Sequence, residues 1–249
     1  MSFPPKNILI LGATSAIAQA IARKFASSGT RFFLVGRDAH KLDTVAADLK
    51  ERFRCETRPY QLDLADNSRH KEVIETAKEE LGHIDLALIA HGVLPEQDKI
   101  KNDADAVLDS LNVNFNSAVS LLTHMSGIFE KQKGGTIAVI SSVAGDRGRK
   151  TMYVYGAAKA GLSSFTDGLR GRMIEYGVHV LNIKPGVIAT PMTKHLKKGL
   201  LTSTPEKVAV DVYKAVRRKQ DILYTPGRWR AIMFIVRHIP ERIFKKLTF

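Results

Sequence analysis

The sequence predicts an α/β protein in which a doubly wound parallel sheet lies between two layers of helices. Short apolar runs of strand length alternate with longer segments whose apolar residues recur at helical spacing. The short runs are almost continuously apolar, as expected for parallel strands that helices cover on both faces. The chain has 249 residues and is 44% hydrophobic, which suffices for one large core. We therefore expect a single three-layer αβα domain.

The predicted elements alternate regularly along the chain. The strand-like runs are 7–11, 31–35, 56–61, 84–89, 136–140 and 178–183, with 222–224 as a candidate seventh. Helical patterns between the first strands cover 16–28, 41–53 and 68–81. Neither an internal repeat nor a linker interrupts this order. The alternation predicts a Rossmann-like fold, in which ligands bind at the carboxyl ends of the strands.

Composition restricts the compartment and the kind of protein. Cys55 is the only cysteine, so no intramolecular disulfide can form, and we expect a reducing, cytoplasmic compartment. The first residues lack the apolar core of a signal peptide. No run approaches the roughly 20 apolar residues of a membrane-spanning helix. We expect no metal site.

Positive charge is concentrated in the last quarter of the chain. The net charge is +13, and residues 194–249 contain 14 Lys and Arg against 4 Asp and Glu. Such a region could contact nucleic acid, anionic lipid or a phosphorylated substrate. A nucleic-acid-binding module would show stacking aromatics or a recognition helix, and neither is evident here. We therefore expect no nucleic-acid partner.

Residues 226–249 form a tail that mixes large apolar and basic side chains. Pro240 divides the tail into two short segments, and aromatic residues lie at both ends. This composition suits a helix lying on a membrane surface, with cations toward anionic headgroups. The alternative is that the apolar side chains pack on the domain or across an oligomer interface. Peripheral contact with the inner face of a membrane and packing on the protein are therefore both kept as expectations.

Tyr155 and Lys159 are the candidate catalytic pair. Being four residues apart, they share one face of a helix, so their side chains can meet. A phenol has a pKa near 10, and a neighbouring ammonium stabilises its phenolate. This pair suits proton transfer to a carbonyl oxygen while a nicotinamide cofactor supplies hydride. The alternative is a tyrosine ring packed on a lysine stem.

The turn after the first strand is the candidate phosphate site. Gly12 permits a tight turn, and Thr14 and Ser15 can either cap the following helix or donate hydrogen bonds to phosphate oxygens. The free N–H groups and the positive dipole end at the start of a helix favour an anion. The alternative is an ordinary strand-to-helix turn with a capped helix.

These motifs resemble the short-chain dehydrogenase/reductase family, whose signatures are Tyr-x-x-x-Lys and a Gly-x-x-x-Gly-x-Gly turn. Ser142 lies 13 residues before Tyr155, as the family's catalytic serine does, and residues 185–190 resemble its nicotinamide segment. The resemblance implies a catalytic set of Asn114, Ser142, Tyr155 and Lys159. It implies cofactor contacts at Gly12, Thr14, Ser15, Ile17, Arg37, Asp63, Gly92, Tyr155, Lys159, Pro185, Gly186, Ile188 and Thr190.

The sequence departs from the family pattern at two motifs. Ala16 and Ala18 replace the second and third glycines of the phosphate turn. A positive φ at Ala16 would cost about 1 kcal/mol and weaken cofactor binding. Ile89, Ala90 and His91 stand where the family often has Asn-Asn-Ala, so Gly92 is kept and the two asparagines are lost. We expect a structural or solvent-facing role for His91.

The end of the second strand favours NADP(H) over NAD(H). Arg37 stands where an NAD site places an acid for the ribose hydroxyls, and a guanidinium suits a 2′-phosphate. Asp38 could serve as the NAD acid, or it could cap the next helix. Asp63 resembles the family's adenine-contacting residue, with helix capping as the alternative.

The resemblance implies an oxidoreductase that uses NADP(H) to reduce a carbonyl to an alcohol, or to catalyse the reverse reaction. In the implied mechanism Ser142 polarises the carbonyl, Tyr155 donates the proton, and Lys159 lowers the pKa of Tyr155 and holds the nicotinamide ribose. Asn114 would position a water that connects Lys159 to solvent. A homodimer or homotetramer is the implied assembly. The alternative from another class is a cofactor-binding sensor without catalysis.

Residues 1–225 are expected to form the catalytic domain, with a substrate lid near 191–203, and residues 226–249 the tail. The basic lid and tail would fit a lipid-linked substrate. The phosphate turn and the tail are also similar to reductases of a polyprenyl-phosphate-linked keto sugar. Acyl and sterol carbonyls stay open as alternative substrates.

Overall fold

A seven-stranded parallel sheet forms the centre of the computed structural model, which describes residues 3–194 and 199–247. The strands lie in the order β3-β2-β1-β4-β5-β6-β7, and every pairing is parallel. Their bounds are β1 Asn7–Leu11, β2 Arg31–Gly36, β3 Glu56–Gln61, β4 Leu86–Ile89, β5 Thr136–Ile140, β6 His179–Pro185 and β7 Ile222–Thr225. The strand order reverses between β1 and β4, which creates a crevice at the carboxyl ends of the strands.

Helices cover both faces of the sheet. Their bounds are α1 Ala16–Phe25, α2 Ala39–Phe53, α3 His70–Leu81, α4 Gln97–Ile100, α5 Ala104–Leu111, α6 Ser117–Gln132, α7 Tyr153–Met173, α8 Pro205–Arg217, α9 Arg228–His238 and α10 Glu241–Phe244. This arrangement confirms the predicted three-layer αβα, Rossmann-like fold, including the seventh strand.

Alternate residues of the strands build two apolar cores. Ile8 and Phe32 belong to the core that packs against α1, α2 and α8. Leu9 and Phe33 belong to the core that packs against α3, α6 and α7. Because successive side chains of a strand point to opposite faces, a strand buried on both faces must be apolar throughout. This explains the continuous apolar runs in the sequence.

Several boundaries differ from the predicted ones by two or three residues. α1 ends at Phe25 rather than at residue 28, because Ala26 has an extended backbone, with φ −62° and ψ 131°. The backbone N–H of Ser27 donates to Thr30 Oγ1 at 3.2 Å and stabilises the turn that follows. β6 continues to Pro185, which brings the predicted nicotinamide segment directly to the end of a strand.

The tail contains α9 and α10, which Pro240 separates. Trp229, Met233 and Phe244 are buried against the domain, whereas Phe234 is 67% exposed and Ile243 55% exposed. Of the described tail residues, those on one side therefore pack on the domain, as one of the two expectations had it, while apolar side chains on the other side are exposed. Thr248 and Phe249, part of the predicted tail, lie outside the described residues. Across the described ranges, no helix has the length and apolar content needed to cross a membrane.

Candidate active site

A cleft with a volume of about 320 Å³ lies at the carboxyl ends of the strands. Fourteen of the residues predicted for the site line it, and they extend from residue 12 to residue 190 of the sequence: Gly12, Thr14, Ser15, Ile17, Arg37, Asp63, Gly92, Ser142, Tyr155, Lys159, Pro185, Gly186, Ile188 and Thr190. Asn114 is the predicted residue that does not line the cleft. The fold thus brings together side chains that are far apart in sequence.

The turn between β1 and α1 approaches the backbone of His91 closely. Gly12 has φ +90°, and a Cβ atom there would lie 2.6 Å from the backbone nitrogen of His91. Only glycine fits this position. Ala16, in contrast, begins α1, and the described non-glycine residues with positive φ are Arg54, Lys133 and Lys219. The strain considered for Ala16 therefore does not arise.

The start of α1 offers hydrogen-bond donors that the described protein leaves unused. The backbone N–H groups of Ala16 and Ile17 have no acceptor among residues 3–194 and 199–247, and Ser15 precedes them without a side-chain cap. Such free donors at a helix N-terminus form a site for phosphate oxygens. These residues therefore fit the pyrophosphate of a dinucleotide cofactor.

Arg37 and Asp38 have different environments at the end of β2. Arg37 is exposed and forms no ion pair with the described residues, while it lines the cleft. Asp38 caps α2, since its Oδ1 accepts from the backbone N–H of Lys41 at 3.0 Å, and its Oδ2 lies 3.0 Å from Lys41 Nζ. The hydrogen bonds from Lys41 lower the pKa of Asp38. Asp38 thus has the helix-capping role considered as its alternative.

Asp63 lies at the end of β3 without capping the helical turn that follows. Its Oδ1 accepts from the backbone N–H of Ala65 at 3.0 Å, and the residue is exposed in the cleft. The cap of the next helical turn is Asp66, whose carboxylate accepts from Ser68. Asp63 therefore keeps an oxygen accessible to a ligand in the cleft.

Ser142 and Tyr155 meet in the wall of the cleft. The Ser142 hydroxyl is close enough to the phenol of Tyr155 to lower its pKa. Ser142 Oγ accepts from the backbone N–H of Ala144 at 3.0 Å, which fixes the serine in the turn after β5. Burial raises the pKa of Tyr155 to about 12, although the neighbouring Ser142 hydroxyl opposes this shift. The phenol is therefore protonated at neutral pH.

Lys159 is 3% exposed and lies on the same face of α7 as Tyr155. Its Nζ donates to the carbonyl oxygen of Ile140 at 3.1 Å and lies 5.8 Å from the centroid of the Tyr155 ring. Burial lowers the pKa of Lys159 to about 8. The ammonium was expected to lower the pKa of Tyr155, but burial of the phenol has the larger effect and raises it.

Asn114 lies behind the wall of the cleft, in a π-helical turn between α5 and α6. Its Oδ1 accepts from the backbone N–H of Val93 at 3.0 Å, and its Nδ2 donates to the carbonyl oxygen of Ser110 at 3.0 Å. A Cβ atom on Gly92 would lie 2.8 Å from Asn114 Oδ1 and 3.7 Å from Lys159 Nζ. Asn114 thus fixes the backbone at Gly92 and Val93, which lies between the Asn114 side chain and Lys159.

His91 has the structural contact expected for it. One ring nitrogen, Nε2, lies 2.8 Å from Ser117 Oγ, whereas Nδ1 is buried without a hydrogen-bond partner in the described protein. Burial, together with the charge of Lys159, lowers the pKa of His91 to about 3. The imidazole is therefore neutral beside the cleft.

Both ends of the predicted lid lie close to Ile188, which lines the cleft. Its first turn, Pro191–Thr193, lines the cleft, and Ser203 pairs with Ile188 in an isolated parallel bridge. Residues 195–198, which supply most of the predicted basic character of the lid, lie outside the described residues. Leu200 is 97% exposed.

Sequence reasoning missed a buried charge network beside the cleft. Lys184 Nζ lies 2.6 Å from Asp146 Oδ1, and the hydroxyl of Tyr224 donates to Asp146 Oδ2 at 2.8 Å. The network joins the turn after Ser142 to β6 and β7. A usable signal existed, because Lys184 is a charged residue at the end of an apolar strand and so requires a partner.

The contacts of the tail with the site were also missed. Arg147 Nη1 donates to the carbonyl oxygens of Val236 and Ile239, each at 2.6 Å, which ties the segment after Ser142 to the end of α9. A Cβ atom on Gly186 would lie 1.8 Å from Trp229 Nε1, so the indole occupies the space beside the predicted nicotinamide segment. No local pattern in the sequence indicates these contacts.

Comparisons with known proteins agree with this architecture. An uncharacterized oxidoreductase of Streptomyces coelicolor is 32% identical over 99% of this chain and 98% of its own length. An uncharacterized oxidoreductase of Mycobacterium tuberculosis is 30% identical over 96% of both chains. The structure of a short-chain dehydrogenase from Sphingobium yanoikuyae in complex with NADPH superposes with a TM-score of 0.80 and 22% identity, covering 94% of this chain and 96% of that one.

A family profile gives the assignment directly. The profile described as short chain dehydrogenase matches residues 6–200, which include the phosphate turn, Ser142 and the Tyr155–Lys159 pair. The match spans most of the chain, and the two oxidoreductase relatives extend it into the tail. The chain belongs to the short-chain dehydrogenase family of oxidoreductases.

Proposed function

We propose that this oxidoreductase uses NADP(H) to reduce a carbonyl compound to an alcohol. The observation that carries the proposal is that Ser142, Tyr155 and Lys159 line one cleft, with the Ser142 hydroxyl close enough to the phenol to affect its pKa. Because the pKa of Tyr155 is raised to about 12, its hydroxyl is a proton donor at neutral pH. A protonated tyrosine suits the reductive direction, in which the carbonyl oxygen receives a proton.

Each residue of the set has one task in this proposal. The hydroxyl of Ser142 donates to the substrate oxygen and polarises the carbonyl, and Tyr155 then delivers its proton to the same oxygen. Lys159 supplies positive charge beside the phenolate that forms. Asn114 holds the backbone at Gly92 and Val93, next to the Lys159 ammonium, where a water could connect this lysine to solvent. When bound, the nicotinamide supplies the hydride.

The remaining predicted residues are proposed to hold the cofactor. Gly12, Thr14, Ser15 and Ile17 surround the free N–H groups of α1, which suits a pyrophosphate. The proposed contacts on the other parts of the cofactor are Asp63, Gly92, Tyr155, Lys159, Pro185, Gly186, Ile188 and Thr190. All of them line the cleft.

The preference for NADP(H) rests on the end of β2. Arg37 is exposed in the cleft without a counter-ion among the described residues, so its guanidinium is accessible to a 2′-phosphate. Asp38 is already bound to Lys41 and does not line the cleft. The Sphingobium yanoikuyae dehydrogenase, which shares the fold, was solved with NADPH.

We further propose that residues 1–225 form the catalytic domain and that the tail contacts a membrane peripherally. The exposed apolar side chains of Phe234 and Ile235, 67% and 65% exposed, lie among exposed cations of α9 such as Arg230 and Arg237. This combination suits the interface of an anionic bilayer and, with it, a lipid-linked carbonyl substrate such as a keto sugar. A homodimer or homotetramer is proposed from family membership.

A cofactor and substrate screen tests the proposal. The full-length protein is incubated with NADPH or NADH and a panel of carbonyl compounds that includes keto sugars, acyl ketones, sterols and lipid-linked sugars. We expect oxidation of NADPH, followed by its absorbance, with at least one carbonyl and a kcat/KM for NADH at least tenfold lower. Tight NADPH binding without turnover of any compound would instead support the non-catalytic sensor.

A further inference from the structure

A second cavity lies between the segment after Ser142 and the end of the tail. Its volume is about 220 Å³, several times the roughly 30 Å³ that one water occupies in the liquid. The residues that line this tail cavity are Gly148, Arg149, Lys150, Glu241, Phe244, Lys245 and Leu247. None of them lines the active-site cleft, so the tail cavity is a separate site.

Positive charge dominates the tail cavity. Within the described part of the chain, Arg149, Lys150 and Lys245 form no ion pair. Glu241, the carboxylate in the lining, is 3.0 Å from Arg147, so a cation already compensates it. The cavity therefore has three cations without a described counter-ion.

Arg149 is the cation with the most unusual environment. Its Nε is buried without a hydrogen-bond partner in the described protein, and its Nη2 contacts the sulfur of Met152 at 3.2 Å. Burial lowers the pKa of Arg149, and no carboxylate opposes this effect. A partly buried guanidinium without a counter-ion costs free energy, which an anion in the cavity would recover.

We propose that the tail cavity binds a phosphate group through Arg149, Lys150 and Lys245. A guanidinium presents paired N–H donors that match two phosphate oxygens, and the lysines add point charges. A phosphate monoester or diphosphate carries enough negative charge to neutralise more than one of the three cations. This binding does not depend on the proposed redox chemistry, so the two proposals can fail separately.

The phosphate can come from a soluble phosphorylated compound or from a lipid headgroup. Ile243 is 55% exposed and immediately precedes Phe244, which lines the tail cavity. A lipid headgroup could therefore enter while Ile243 contacts the bilayer. In either case the phosphate would lie near Met152, the residue before α7, which carries Tyr155.

Binding of inorganic pyrophosphate to the full-length protein tests the proposal for a soluble source. Saturating NADP⁺ is included so that the phosphate turn in the active-site cleft is occupied. We expect the wild type to bind pyrophosphate in calorimetric titrations, and Arg149→Gln and Lys245→Gln to bind it at least tenfold more weakly. Lys246→Gln is the matched control, because Lys246 is exposed beside Lys245 but does not line the cavity.

Vesicles distinguish the lipid source. Sedimentation with phosphatidylglycerol or phosphatidylcholine vesicles should show binding to phosphatidylglycerol alone, reduced by Arg149→Gln and Lys245→Gln but unchanged by Lys246→Gln. Dependence on Arg149 in only one of the two assays identifies the source. If Arg149→Gln and Lys245→Gln match the wild type in both assays, or neither probe binds the wild type, the tail cavity does not bind phosphate.

The Tm of thermal unfolding separates a phosphate-binding role of Arg149 from a structural one, because the two roles predict opposite changes in the Tm of Arg149→Gln. Without added anion, Arg149→Gln should have an equal or higher Tm than the wild type, because it removes an uncompensated buried charge. With saturating NADP⁺ present, pyrophosphate should raise the Tm of the wild type and raise that of Arg149→Gln by less. A lower Tm of Arg149→Gln, with an unchanged response to pyrophosphate, would assign Arg149 to the scaffold.

Discussion

In two Lys–Tyr pairs near the active-site cleft, a buried ammonium lies at nearly the same distance from a partly buried tyrosine ring, but the electrostatics of the two pairs differ. Lys159 Nζ lies 5.8 Å from the centroid of the Tyr155 ring, and Lys184 Nζ lies 5.6 Å from that of Tyr224. Burial raises the pKa of both phenols to about 12. The pairs differ in one group, since Asp146 bridges Lys184 and Tyr224 at 2.6 and 2.8 Å.

The missing carboxylate distinguishes the pair that we propose to be catalytic, Lys159 and Tyr155 (the reactive pair), from the pair of Lys184 and Tyr224 (the scaffolding pair). Lys184 has a full counter-charge, so its network joins three parts of the fold without leaving an unpaired charge. Lys159 has only the carbonyl oxygen of Ile140 among the described residues, and its pKa is lowered to about 8. An incompletely compensated cation of this kind costs stability but can stabilise negative charge that forms during a reaction.

The largest expected difference between the two pairs is in the turnover of variants that lack the tyrosine hydroxyl. Tyr155→Phe removes the proposed proton donor and should lower kcat by about 100- to 10,000-fold. Tyr224→Phe removes a hydrogen bond to Asp146 and should retain most of the turnover while costing about 1 kcal/mol of unfolding free energy. Steady-state kinetics and urea denaturation measure the two effects. Equal losses of turnover in both variants would remove the distinction between the pairs.

The second prediction concerns the charge of the scaffolding pair. Lys184→Met leaves the Asp146 carboxylate, whose side chain is 2% exposed, without a cation. The unfolding free energy should fall by about 3–5 kcal/mol. The double variant Lys184→Met/Asp146→Asn, which also removes the negative charge, should recover most of this loss. A loss below about 1 kcal/mol for Lys184→Met alone would show that the ion pair contributes little.

The third prediction is that removing the lysine of the reactive pair changes the unfolding free energy in the opposite direction. Lys159→Met removes an ammonium that the folded protein disfavours, so the unfolding free energy at neutral pH should rise by about 1–3 kcal/mol. Turnover should fall sharply in the same variant. Lys159→Arg, which keeps a charge at this position, is the control and should not be stabilised. A destabilised Lys159→Met would mean that the ammonium has an unrecognised stabilising partner.

The fourth prediction follows from the pKa of Lys159. The folded state binds this proton less tightly than the unfolded state, because the pKa is about 8 rather than 10.5. The destabilisation is therefore full below about pH 8 and disappears as the pH rises toward 10.5. Across the same range Lys159 loses its charge while Tyr155 stays protonated.

The reduction rate should show this titration. We expect kcat/KM for carbonyl reduction to be level below about pH 8 and to fall about tenfold per pH unit above it. In Lys159→Arg, any remaining activity should keep its level range to higher pH, since a guanidinium stays protonated. A fall at the same pH in both enzymes would assign the titration to another group.

The local patterns of the sequence predicted the fold and most of the candidate site. Each strand is buried on both faces, so its composition alone indicated its position in a parallel sheet. The phosphate turn and the Tyr155–Lys159 pair were recognisable because their spacing is local, whereas Ser142 was implied by the resemblance to the family. The net rise in the pKa of Tyr155 was not predicted, because the sequence does not show how strongly a phenol is desolvated.

Contacts between distant segments were decided by the tertiary structure. Asp146 meets Lys184 and Tyr224 only because β6 and β7 lie beside the turn after Ser142. Arg147 reaches the end of α9 across about 90 residues of sequence. The tail cavity likewise forms where residues 148–150 face residues 241–247.

The sequence by itself determined which segments become strands and helices and which side chains lie at the ends of the strands, because these properties follow from local periodicity and burial. Only the tertiary structure decided which buried charges have partners. Compensation of a buried charge depends on atoms within a few ångströms, and here those atoms come from segments far apart in the chain. That difference separates Lys159 from Lys184 and leaves Arg149 without a counter-ion among the described residues.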